Sequence, residues 1–314
     1  MKVLTKFAGR LSFFLALALA LASDILSPML LKGINYWCFP GSFEDKVDPF
    51  DAIMMSAKYG YEALELCIGE SGTQFGLDAT EKRCKELVQA AGESNIALKT
   101  TASGLYWGRS MGDPDPAVRA QAKDDLKRML QISSWLGCKV HLTIPSAVDV
   151  FFLPDRPVQN YDDCWKYASE GIQEMLPHAK ACNVKMGIEN VWNKILITSG
   201  EMGHFIDQFE SPFVGCLFDV GNVMPFGYPE QWIRSLKDKI VAIHFKDFRK
   251  SVGTADGFVD LLEGDVNFPE VIKALNEIGF DGPVVAEMIP HYNLYPIARV
   301  ENTSNAMDHI LGRK

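Results

Sequence analysis

From residue 33 onward the chain alternates two hydrophobic rhythms. Short apolar or β-branched runs of five to eight residues read as strands at Gly33 to Cys38, Glu62 to Ile68, Ile96 to Ser103, Lys139 to Pro145, Val184 to Glu189, Val214 to Asp219, Ile240 to Phe245 and Val284 to Met288. Between them apolar residues recur at helical spacing, as in "DDLKRMLQISSWLG" and "PEVIKALNEIG". Helix ends carry their own signals: Asn267 followed three residues later by Glu270 has the spacing of a capping box, and Gly137 and Gly279 stand where helices close. Eight strand–helix repeats predict a (β/α)8 TIM barrel, an α/β fold in which right-handed crossovers make every strand parallel. No Pro-, Gly- or Ser-rich linker divides the chain, so residues 32–314 are expected to form one domain.

The N-terminus breaks this rhythm. Lys2, Lys6 and Arg10 precede the run "LSFFLALALALA", and Ala20 and Ala22 supply small residues where a signal peptidase reads. This predicts a signal peptide over residues 1–22 and a short extension over 23–31. The apolar run is shorter than the roughly 20 residues a membrane-spanning helix needs, so no stable membrane span is expected. A working signal implies export to the periplasm or beyond, with the cytoplasm as the alternative. Seven cysteines without a CxxC pair point instead to buried, reduced thiols, a pattern more at home inside the cell.

With 47% hydrophobic residues the chain has material for a large core, and its net charge is −9 with no basic stripe. Nucleic acid is therefore not an expected partner, because phosphate neutralisation needs clustered positive charge. No glycine-rich phosphate loop points to a nucleotide cofactor.

The chemistry lies at the ends of the last four strands. They finish in Glu189, Asp219, His244 and Glu287, which a barrel brings to one mouth. Three carboxylates and an imidazole repel or desolvate one another in a small apolar space unless a cation neutralises them. One divalent metal ion solves the problem, and the oxygen-rich donor set suits Mn²⁺ first, with Co²⁺, Mg²⁺ or Zn²⁺ as alternatives.

The segments "GIENVWN", "FDVGN", "IHFKD", "LLEGDVNFPEVI" and "VVAEM", in this order and spacing, resemble the xylose-isomerase-like barrels of sugar and sugar-phosphate isomerases and epimerases. Within that family they are most similar to L-ribulose-5-phosphate (L-xylulose-5-phosphate) 3-epimerases, and more distantly to D-tagatose 3-epimerases. The likeness spans residues 33–292 and is densest from Gly187 to Glu287. It implies that Glu189, Asp219, His244 and Glu287 bind the metal and that Glu189 and Glu287 also carry protons, by way of a metal-stabilised enediolate. Aldose–ketose isomerases and inosose dehydratases share these parts. A non-catalytic sugar-binding barrel is the alternative of another class, although it has no need of two opposed proton carriers. A repair endonuclease of the superfamily would require more histidines and a basic groove.

Weaker candidates surround this set. Glu65, Trp107, Asn190, Lys246 and Arg249 are expected to contact the sugar, Lys246 and Asp247 to steady the ligands, and Arg249, Lys250 and Arg109 to meet any phosphate. His141 is expected to be a satisfied barrel histidine. The partner is a small sugar or sugar phosphate, and pairing into a homodimer is expected from the architecture.

Overall fold

A computed structural model describes residues 30–314. The predicted signal segment over 1–22, and the part of the extension that ends at Met29, lie outside the described residues. Eight parallel strands close into a barrel in the order β1-β10-β7-β6-β5-β4-β3-β2, where β1 is Leu30–Asn35, β2 Ala63–Cys67, β3 Thr100–Ala102, β4 Val140–Thr143, β5 Lys185–Glu189, β6 Val214–Asp219, β7 Ile240–Phe245 and β10 Gly282–Ala286. The eight expected strands are the eight barrel strands.

Their edges differ from expectation for local reasons. The first strand starts at Leu30, inside the expected extension, because Leu30 and Leu31 pair with Gly282 and Pro283 of β10. It stops at Asn35, whose side chain accepts a hydrogen bond from the Trp37 amide at 2.7 Å and turns Tyr36–Cys38 into a 3-10 turn. The third strand shrinks to Thr100–Ala102, although Ala97 still bridges to Ala63. A short antiparallel hairpin, β8 (Asp247–Phe248) with β9 (Phe258–Val259), was not legible in the hydrophobic pattern.

Helices α1 (Pro49–Lys58), α2 (Glu81–Glu93), α3 (Pro116–Trp135), α4 (Tyr161–Cys182), α5 (Ser199–Asp207), α6 (Pro229–Leu236), α7 (Phe268–Glu277) and α8 (Pro296–Ile310) form the outer layer. Asp48, Asp115 and Thr198 cap α1, α3 and α5, each accepting a bond from a first-turn amide. Asn267 caps α7 as expected through the Glu270 amide at 3.3 Å, but the Glu270 carboxylate turns to Arg234 and Lys273, so the box is half made. Gly137 and Gly279 adopt φ of 75° and 68°, the left-handed conformation that ends a helix. All seven cysteines are free thiols, six of them buried. No described helix is long and apolar enough to cross a membrane.

Candidate functional site

Strand register builds the site. On β6 and β7, Asp219 pairs with His244, which levels them across the barrel mouth. Glu189 closes β5 beside them. Glu287 falls one residue past β10, yet its amide donates to the Phe245 carbonyl at 3.1 Å, so the ladder carries it into the same ring. One donor atom from each of Glu189, Asp219, His244 and Glu287 lies within 4.8 Å of every other, and all four side chains are buried.

The imidazole of His244 is the hub. Its Nδ1 lies 3.2 Å from Glu287 Oε2 and 3.5 Å from Glu189 Oε1, while Nε2 sits 2.8 Å from Glu65 Oε1. Glu65 is itself held by Asn35, whose Nδ2 donates at 2.7 Å. Lys246 reaches in from the residue after β7 and places Nζ 2.7 Å from Glu287 Oε2 and 3.2 Å from Asp219 Oδ2.

Asp219 is fixed from both sides. Its Oδ1 accepts from the Gly221 and Asn222 amides at 2.9 and 2.8 Å, and its backbone exchanges two hydrogen bonds with the Asn190 side chain. The glycine of "FDVGN" is required here, because a Cβ on Gly221 would fall 2.5 Å from Lys246 Cβ.

These surroundings drive the titrations apart. Burial pushes the Glu189 carboxyl up to about 7 against the pull of His244, and burial likewise raises Asp219 against Lys246. For Glu287 burial also acts upward, but Lys246 and His244 outweigh it and hold the carboxyl at about 2. Burial alone would lower His244, yet Glu65, Glu189 and Glu287 together hold it well above the ordinary imidazole range.

The donor set fits a divalent cation. Glu189 Oε1 is buried without a hydrogen-bond partner, and Asp219 Oδ2 has none beyond its ion contact with Lys246. Buried carboxylate oxygens that make no hydrogen bond are costly unless positive charge meets them, and a divalent cation would meet both. With Nδ1 of His244 turned to the ring and Nε2–H given to Glu65, the imidazole has the carboxylate-backed arrangement of a metal ligand.

The remaining candidates separate. Glu65 was expected to touch the sugar; it is fully buried behind His244 and spends its hydrogen bonds on His244 and Asn35. The Asn190 side chain, expected at the sugar, exchanges its hydrogen bonds with the Asp219 backbone, and Asn193 ties the β5 loop to the Ser146 carbonyl at 2.9 Å. Asp247 steadies no ring residue directly: its buried carboxylate gathers the amides of Phe248, Leu262, Gly264 and Val266 and so shapes the loop after β9. Trp107 is half-buried against Phe152. Arg249 is exposed and donates to the Glu263 carbonyl at 3.0 Å, and Arg109 is neutralised by Glu70 and Asp125. His141 is the expected core histidine, its ring between Thr101 Oγ1 at 2.8 Å and the Tyr106 hydroxyl at 2.9 Å. Sequence reasoning did not single out Asn35 or Asn222. Nothing but their places, at the end of β1 and in the loop after β6, marks them.

Fold and ring together define a parallel (β/α)8 barrel with a metal-competent carboxylate–histidine mouth. The chain belongs to the family described as the xylose isomerase-like TIM barrel, whose model matches residues 55–311. Among curated relatives it is 23% identical over 246 residues to the putative L-ribulose-5-phosphate 3-epimerase SgbU of Escherichia coli (strain K12), covering 76% of this chain and 82% of that one. It is 21% identical to L-ribulose-5-phosphate 3-epimerase UlaE of Salmonella typhimurium, over 80% and 85% of the two chains. Among solved structures, D-psicose 3-epimerase with D-tagatose from Clostridium cellulolyticum H10 superposes with a TM-score of 0.71 at 17% identity, over 90% of this chain and 99% of that one. The IOLI protein with a bound zinc atom gives 0.71 at 15% identity, over 90% and 99%. At these identities the structural likenesses establish the fold.

Proposed function

We propose that the chain is a ketose 3-epimerase in which Glu189, Asp219, His244 and Glu287 hold one divalent cation and the two glutamates carry the proton at C3. The observation that carries this reading is the placement of the glutamates. Glu189 on β5 and Glu287 after β10 are the outermost of four neighbouring strand ends, with Asp219 and His244 between them, and both approach the same His244 nitrogen. In this reading the two glutamates reach the reacting carbon from its opposite faces, which inversion at a carbon requires. The names of the curated relatives and of the psicose epimerase support the same reaction class.

In the forward direction one glutamate takes the C3 proton, the C–H electron pair forms a C2–C3 double bond, and the C2 oxygen becomes anionic. The other glutamate returns a proton to the opposite face, and the carbonyl re-forms. Each carboxylate is base in one direction and acid in the other. Lys246 balances the charge on Glu287 and Asp219, and Glu65 keeps the His244 ring in one orientation. A divalent cation, when bound, supplies the Lewis acidity that stabilises the developing oxyanion. The oxygen-rich donors favour Mn²⁺ for this role.

The test is deuterium wash-in from D₂O, followed by NMR, on free and phosphorylated ketoses with Mn²⁺ present. Label at C3 together with the new epimer is the expected result. Label at C1 alone would assign an aldose–ketose isomerase instead.

A further inference from the structure

The ring is joined to the barrel's rim by a run of aromatic side chains. The Lys246 ammonium, which touches Glu287, lies 5.8 Å from the centre of the Phe258 ring. Phe258 packs on Trp192 at 5.1 Å, Trp192 on Phe151 at 5.8 Å, Phe151 on Phe152 at 5.2 Å and Phe152 on Trp107 at 5.1 Å between ring centres. Trp107, the Phe151–Phe152 pair and Trp192 follow β3, β4 and β5, on the face where the metal ring opens.

Phe151 and Phe152 remain 53% and 47% exposed. Large contiguous apolar surface on a protein of this kind marks a contact site rather than chance. Their loop is firmly held. The Val148 amide donates to the Asn193 carbonyl at 2.9 Å, the Gln159 amide to the Val148 carbonyl at 2.8 Å, and Lys194 pairs with Asp149 at 2.5 Å. The Gly112 amide donates to the Pro145 carbonyl at 2.9 Å, in a packing where a Cβ on Gly112 would lie 1.9 Å from Ser146 Oγ.

Four cations on this face have partners within the protein. Arg109 gives both terminal nitrogens to Glu70, at 2.6 and 2.8 Å, and its Nε to Asp125. Lys194 faces Asp149, Arg249 faces the Glu263 carbonyl, and the Lys250 ammonium rests 4.7 Å from the Tyr228 ring centre. A phosphate needs converging, charge-assisted donors, and these side chains do not supply them.

We propose that the substrate is an uncharged keto sugar carrying a second ring at the end remote from the reacting carbons, and that the run from Phe258 to Trp107 seats that ring. The proposal rests on the ketose reading of the metal ring. Aromatic faces offer flat apolar surface to the C–H faces of a sugar or to an aryl group, and the run starts at Lys246, beside the ring that would hold the reacting carbons.

The test is calorimetric titration of the full chain with Mn²⁺, using D-fructose, fructose 6-phosphate, 6-O-glucosyl-fructose and 6-O-benzyl-fructose, with deuterium incorporation at C3 read on the same mixtures. The glucosyl or benzyl ketose is expected to bind at least about tenfold more tightly than fructose. Whichever of the two gains more identifies the ring as sugar or aryl. In the double variant Phe151→Ala/Phe152→Ala this ratio should fall to about one, while the phosphate gives no gain in either protein. Tightest binding of fructose 6-phosphate, no gain from a second ring, or a ratio unchanged in the double variant would overturn the proposal. Label at C3 of free fructose without any gain sinks the proposal and leaves the epimerase reading standing; a gain without label on any ketose does the reverse.

Discussion

Two histidines, His141 on β4 and His244 on β7, are both fully buried inside one barrel, and they meet opposite fates. His141 lies between two hydroxyls, and burial pushes it down to about 3, so it stays neutral. His244 lies among Glu65, Glu189 and Glu287, which overcome the same burial and hold it charged when no cation is bound. The difference is in the neighbours, because β1 to β4 present neutral polar groups around His141 whereas β5 to β10 bring three acids to a single mouth. The fold supplies burial to both residues, and chemistry enters only where charge is concentrated. Glu65 is the one acid of the first half that crosses over, and it does so behind His244.

The largest expected effect breaks the charged half. Glu189→Gln or Glu287→Gln should each cost about 10³-fold or more in kcat with the barrel still folded, because the amide can neither take nor return a proton. Steady-state kinetics alongside circular dichroism measures this; near-normal turnover would remove that residue from the reaction. Next is Glu65→Gln, which loosens the hold on His244 Nε2 without touching the ring. Mn²⁺ affinity, measured by calorimetry, should fall about 10- to 100-fold.

Breaking the neutral half should have a different signature. His141→Leu leaves the Tyr106 hydroxyl without its ring partner and should cost about 2 kcal/mol in denaturant unfolding while metal content stays unchanged. A loss of metal in that variant would erase the distinction between the halves.

The smallest effect is a pH slope in metal-stripped protein. Because Glu189 is raised from 4.5 to about 7, its contribution to stability is full below 4.5, falls as pH rises through 7 and is flat above. Glu189→Gln should flatten that part of the profile between pH 4.5 and 7. An unchanged slope would place the titration elsewhere.

How much of this was written in the sequence follows from the same contrast. Strands buried on both faces announce themselves as apolar runs, so all eight barrel strands were legible, and the four charged tips stood out against them. Their edges were not, because Asn35 ends β1 with a side-chain hydrogen bond that no hydrophobic pattern encodes. The role of Glu65 was hidden for a similar reason: the partner that defines it, His244, lies 179 residues away. Asn190 reads as a neighbour of Glu189 in sequence, yet it serves Asp219 across the strand pair. The β8–β9 hairpin escaped because two-residue strands carry no periodicity, and Asp247 shapes the adjoining loop through backbone amides.

The most direct test of the central claim is a titration with Zn²⁺ of protein carrying ¹⁵N-labelled histidine, observed through the imidazole nitrogens, with His244→Ala and His141→Leu fixing the assignments. One equivalent is expected to move the Nδ1 resonance of His244, keep its Nε2 protonated toward Glu65, and leave both nitrogens of His141 where they were. A His244 signal that ignores the metal, or a His141 signal that follows it, would contradict the account.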